Sequence, residues 1–163
     1  MFYLKDLPTI ETLFKLTKRY PSLDPTALNT CAILLRTGSS LLTKLESFLG
    51  KHGLSQGRFL TLIVINRRPD TQINPSSLAE KVGVTRATMT GLLDGLERDG
   101  LIERVKHDGD RRKIGVKLKT EGINVLDNML PEYYDQISKI MLNITEEERE
   151  TLISLLEKVN KEL

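Results

Sequence analysis

Two adjacent arginines, Arg111 and Arg112, close the segment His107-Asp108-Gly109-Asp110-Arg111-Arg112, in which a D-G pair reads as a hairpin connection. Turns favour small polar residues, so two guanidinium groups there suit contact with a polyanion better than they suit a plain turn. The pair belongs to residues 103–119, where seven Lys or Arg face three Asp or Glu; residues 120–163 carry four against ten. A short basic segment beside an acidic one points to a negatively charged partner met by one surface. A solvated hairpin kept soluble by its lysines fits the same charge count.

Other chemistry is sparse. Cys31 is the single cysteine, so no internal disulfide forms, and two histidines, His52 and His107, leave little for a zinc site. The chain has no G-x-S-x-G, no glycine-rich phosphate loop and no H-E-x-x-H. The acidic run 146–148 reads as a favourable first helical turn. An enzyme is not expected, and neither a metal nor a cofactor is implied.

With 163 residues, 28% of them charged and 39% hydrophobic, the chain has an ordinary globular composition and can bury a core unaided. Its wholly apolar runs, such as Leu62–Ile65, are far short of the roughly 20 residues of a membrane span. The start, MFYLKDLPTIETLF, lacks the features of a signal peptide, so a cytoplasmic protein without a membrane partner is expected.

The elements that must position the arginines follow from periodicity and capping. A short helix is expected within 8–20. A long one over 25–50 carries the apolar stripe Leu28, Cys31, Ala32, Leu35, Leu42, Leu45 and Leu49. Another is expected over 55–66. Asn74-Pro75-Ser76-Ser77 then opens a two-turn helix to Val82, with Ser77 and Glu80 spaced as a capping box. After Gly83, Thr85 caps a helix to about residue 98, with Met89, Leu92, Leu93 and Leu96 inward. Strands are expected over 101–106 and 113–119, the second alternating Ile114, Val116 and Leu118 with Lys113, Gly115 and Lys117. A helix to about residue 141, kinked at Pro131, and a last helix opened by a Thr145–Glu148 capping box complete the chain.

A helix-turn-helix followed at once by a basic hairpin is a winged helix, whose second helix fits the major groove of B-DNA while the wing follows backbone or minor groove. The segment SSLAEKVGVTRATMTGLLDGLERDGLIERVKHDGDRRKIGVKL, residues 76–118, strongly resembles the MarR family of bacterial winged-helix transcription regulators. The D-G-L-I-x-R link into the first strand, the D-R-R wing and the L-x-x-T-E-E-E start of the last helix belong to that resemblance.

The resemblance implies a mainly α fold with a small β-hairpin wing: a winged helix-turn-helix (55–119) plus a helical dimerisation domain built from 1–54 and 120–163. It implies a homodimeric repressor of a pseudo-palindromic double-stranded DNA site, released by a small aromatic or amphipathic effector. The effector pocket would lie near residues 30–45, 55–65 and 120–130. Family roles place Arg112 in the minor groove, braced by Asp110, with Arg111 beside it. The start of the recognition helix falls on Thr85, Arg86, Ala87, Thr88 and Thr90. Arg86 suits guanine or phosphate, Thr88 and Thr90 a base or the backbone, and Ala87 a thymine methyl.

Gly91 departs from the larger polar residue frequent in the family, which either removes a base contact or lets the backbone approach DNA closely. Cys31 resembles in position the sensing cysteine of the organic-hydroperoxide branch. The tyrosines that serve such a thiolate are replaced by Leu35 and Leu45, and a buried core cysteine is the expectation. Two alternatives follow: a thiol-based redox repressor using Cys31, and a winged helix that binds protein.

Overall fold

The computed structural model describes residues 6–68, 71–107 and 110–162, with backbone alone at 106, 107 and 110–113. Their order is α1 (Ile10–Leu16), α2 (Pro25–Lys51), α3 (Gln56–Asn66), α4 (Pro75–Val82), α5 (Arg86–Arg98), β1 (Ile102–His107), β2 (Asp110–Leu118), α6 (Thr120–Ile140) and α7 (Glu146–Asn160). Contacts divide the chain between Phe59 and Leu60 into two compact units. No helix among the described residues is long and apolar enough to cross a membrane.

In the first unit α1 packs on α2, with Leu13 buried. Asp24 starts α2: its carboxylate accepts from the N–H groups of Thr26 and Ala27 at 2.9 and 3.0 Å and from the Thr26 hydroxyl at 2.7 Å. The Ala27 bond above all, then that hydroxyl, holds the Asp24 carboxyl below its ordinary pKa. Of the apolar stripe on α2 only Leu49 is buried; Leu28, Leu35 and Leu42 are exposed. Cys31 is exposed as well, which corrects its expected place in a core. The stripe is real as a pattern, but among the described residues much of it, Leu28, Leu35 and Leu42 included, is left exposed.

The second unit holds the helix-turn-helix and the hairpin. Its core gathers Leu62, Ile65, Leu78, Met89, Leu93, Leu96, Ile102, Val116, Leu126 and Met129, each at most 2% exposed. The expected Ser77–Glu80 capping box does not form. Pro75 occupies the first helical turn, so Asn74 becomes the cap and accepts from the Ser77 N–H at 2.7 Å. Gly83 ends α4 at φ +75°, a left-handed turn that a side chain would strain.

The strands pair antiparallel, with Ile102 opposite Leu118, Arg104 opposite Val116 and His107 opposite Asp110. The sequence pattern puts Arg111 and Arg112 in the turn. Because His107 already pairs with Asp110, β2 begins at Asp110 and both arginines are strand residues. Ile73, assigned to no strand from sequence, exchanges two backbone hydrogen bonds with Val116 at 2.9 and 3.2 Å and ties the lead-in of α4 to the wing.

Residues α6 and α7 follow. Helix α6 runs through Pro131 without interruption. Its first turn lies against Leu101, in the link between α5 and β1: a Cβ on Gly122 would fall inside van der Waals contact with the Leu101 carbonyl oxygen. The Thr145–Glu148 capping box at the start of α7 is present in both directions, at 2.7 and 3.2 Å. No residue of α7 is buried, and Leu152, Ile153, Leu155, Leu156 and Val159 are exposed.

Candidate nucleic-acid interface

Helix α5 separates its residues by face. Met89, Leu93 and Leu96 are buried, whereas Arg86, Ala87, Thr88, Thr90, Gly91 and Asp94 are exposed. Positions 87, 90, 91 and 94 fall three or four apart and so share one outward stripe. The assignment of Met89 to the core holds.

The threonines are not equivalent. The Thr85 hydroxyl caps the helix by accepting from the Thr88 N–H at 3.1 Å, and it lies 2.9 Å from the Thr88 hydroxyl. Both are thus engaged in holding the first turn. The Thr90 hydroxyl donates to the Arg86 carbonyl oxygen at 3.0 Å, so its free lone pairs point outward as acceptors. Arg86 is exposed, and among the described residues no carboxylate pairs with its guanidinium. An uncompensated cation at the start of an exposed helix face can meet a guanine edge or a phosphate.

On the wing the backbone of Asp110, Arg111 and Arg112 is placed in β2. Their side chains, and with them the expected brace of Arg112 by Asp110, lie outside the described residues.

One base of the wing segment is not available to a polyanion. The Arg104 guanidinium donates through Nη2 to Asp94 Oδ1 and through Nη1 to Glu97 Oε2, both at 2.6 Å. Its backbone N–H donates to Glu97 Oε1 at 3.2 Å. The hydrogen bond to Asp94 is the chief reason the Arg104 pKa is raised further. Counting charges along the chain credited Arg104 to the basic surface; in the fold it is neutralised by α5. Asp94 and Glu97 lie ten and seven residues away, and no local pattern reveals the pairing.

A cavity of about 400 Å³ lies beside the start of α4, with Arg67, Arg68 and Lys81 around Asn74 and Ser77. Of the ranges expected to line an effector pocket, it shares only Val64 and Ile65 among the described residues. For Cys31, no described residue makes a hydrogen bond to the thiol. Among the described residues no cluster of His, Cys, Asp or Glu is arranged to hold a metal.

Comparison with known proteins agrees with this geometry. The MarR family model matches residues 54–114. The transcriptional repressor YetL of Bacillus subtilis is 35% identical over 153 residues, covering 94% of this chain and 92% of the relative. The regulator PecS of Dickeya dadantii is 29% identical over 144 residues, 88% of this chain and 87% of its own. Among solved structures, the MepR–DNA complex of S. aureus superposes with a TM-score of 0.73 at 21% identity, covering 80% of this chain and 96% of that one. PcaV of Streptomyces coelicolor, solved with its natural ligand, gives 0.70 at 17%, covering 86% and 96%.

Proposed function

This chain belongs to the MarR family of winged-helix transcription regulators, and from that premise we propose that it binds double-stranded DNA sequence-specifically as a homodimeric repressor. The observation that carries the reading is α5, whose inner face is core while Arg86, Ala87, Thr88 and Thr90 stand exposed, the Arg86 guanidinium paired with no carboxylate among the described residues. Each copy presents α5 to a major groove and Arg112 of the wing, with Arg111, to the flanking minor groove, so a pseudo-palindrome matches the two-fold symmetry.

The exposed apolar residues of α2 and α7 support the homodimer, because a second copy supplies the apolar cover that one chain lacks. A small aromatic or amphipathic effector releases the DNA by favouring a wing spacing that misfits the operator. Its effect is bounded by its differential affinity for the two states.

Fluorescence anisotropy with the duplex upstream of the gene, against a scrambled duplex across a salt series, tests the reading. Tight, steeply salt-dependent binding to the native duplex and far weaker binding to the scrambled one is expected. Arg86→Ala and Arg112→Ala should each cost roughly 1–3 kcal/mol of specific affinity. Weak and equal binding to every upstream segment, unaffected by Arg112→Ala, would favour a winged helix whose partner is a protein.

A further inference from the structure

We infer that Arg104 is a positioning residue for DNA readout: bridging Asp94 and Glu97, it sets the wing against the recognition helix and makes no phosphate contact itself. This rests on the DNA-binding reading above.

The geometry supports the assignment in three ways. Glu97 is used at both oxygens, one on the Arg104 backbone N–H and one on its guanidinium, so a single carboxylate fastens strand and side chain together. The second guanidinium nitrogen reaches Asp94, one helical turn earlier on α5. The side chain is 28% exposed, with its acids at 38% and 59%. Two separate N–H groups directed at two carboxylates need a planar fork, which lysine lacks.

The cluster also changes the charge that DNA meets. Arg104, Asp94 and Glu97 together carry one net negative charge, so the group as a whole is not attracted to a phosphate. Asp94 lies on the outward stripe of α5, four residues after Thr90 and three after Gly91. Arg104 thus fixes the direction in which β1 leaves α5. A wing and a helix that enter neighbouring grooves together depend on that direction.

Binding to native and scrambled duplexes across a salt series separates the roles. For Arg104→Ala, the native duplex is expected to bind about tenfold more weakly, with the scrambled duplex and the salt slope unchanged. A phosphate contact would instead weaken both duplexes and lower the slope by about 0.9. Arg104→Lys keeps a cation able to meet a phosphate but should not restore the bridge. The sharpest arm is Asp94→Asn with Glu97→Gln, which keeps side-chain shape. The bridge requires a loss like that of Arg104→Ala, with no added loss when the three changes are combined. A phosphate-binding arginine released from two acids would bind both duplexes more tightly, and that result overturns the proposal.

Hydrogen exchange on the DNA-free protein reads the bridge without the DNA reading. The Arg104 amide and its β1 neighbours should exchange faster in Arg104→Lys and in the Asn/Gln variant than in the native protein. Unchanged exchange overturns the bridge whatever the DNA result. Equal binding of the native protein to both duplexes overturns the DNA reading and, with it, the role in readout.

Discussion

The Thr90 hydroxyl donates to the carbonyl oxygen of Arg86, one turn earlier in α5 and 3.0 Å away. The bond turns a side chain that can donate or accept into one that presents only lone pairs to the outside. A phosphate has no hydrogen to give, whereas the amino groups of adenine and cytosine do.

Thr90→Val, which keeps the shape and removes the hydroxyl, should therefore relax preference at one base pair by about 1 kcal/mol. The salt slope should stay as it was. A binding series over single-base operator variants checks this; uniform weakening across all of them would place the hydroxyl on the backbone instead.

Gly91 and Gly95 lie inside α5, and a Cβ at either would meet nothing within 4 Å. Alanine at each should raise stability by roughly 0.5–1 kcal/mol in urea denaturation. The two should part in DNA binding. If Gly91 lets the DNA backbone approach, Gly91→Ala binds the operator more weakly despite its greater stability, while Gly95→Ala binds as before. Equal binding by both leaves Gly91 as an absent contact and no more.

Gly122 behaves oppositely. With its Cβ position blocked by the Leu101 carbonyl oxygen, which also accepts from the Lys119 N–H at 3.0 Å, the helix can make room only by moving away from Leu101. Overpacking of this kind costs roughly 1–3 kcal/mol. Thermal unfolding of Gly122→Ala should show a loss of that size, and an unchanged midpoint would mean that the α6 junction yields freely.

Cys31 is exposed and receives no hydrogen bond from a described residue. Operator binding of the native protein is expected to survive peroxide, with Cys31→Ser indistinguishable from it. Loss of binding in the native protein alone would establish the redox alternative.

Much of the fold is legible locally. Thr85, Gly83 and the Thr145–Glu148 box mark helix ends through hydrogen bonds that span two to four residues, and Met89, Leu93 and Leu96 mark an inner face by spacing. Local reading falters where two nearby candidates compete. Ser77 and Asn74 both suit a cap, and Pro75 decides for Asn74 by fixing where the helix starts. It falters also in the wing, where the composition of a turn extends to Arg112 although strand pairing starts at Asp110.

The sequence by itself determined the order of elements, the polar and apolar faces of α5 and the family resemblance over residues 76–118. These rest on interactions between residues a few positions apart. Tertiary structure alone decided that Ile73 joins Val116, that Leu101 leaves no space beside Gly122, and that Arg104 belongs to Asp94 and Glu97 rather than to the basic surface. Each of these depends on which distant groups the folded backbone brings within hydrogen-bond or van der Waals reach, a distance that neither composition nor periodicity encodes.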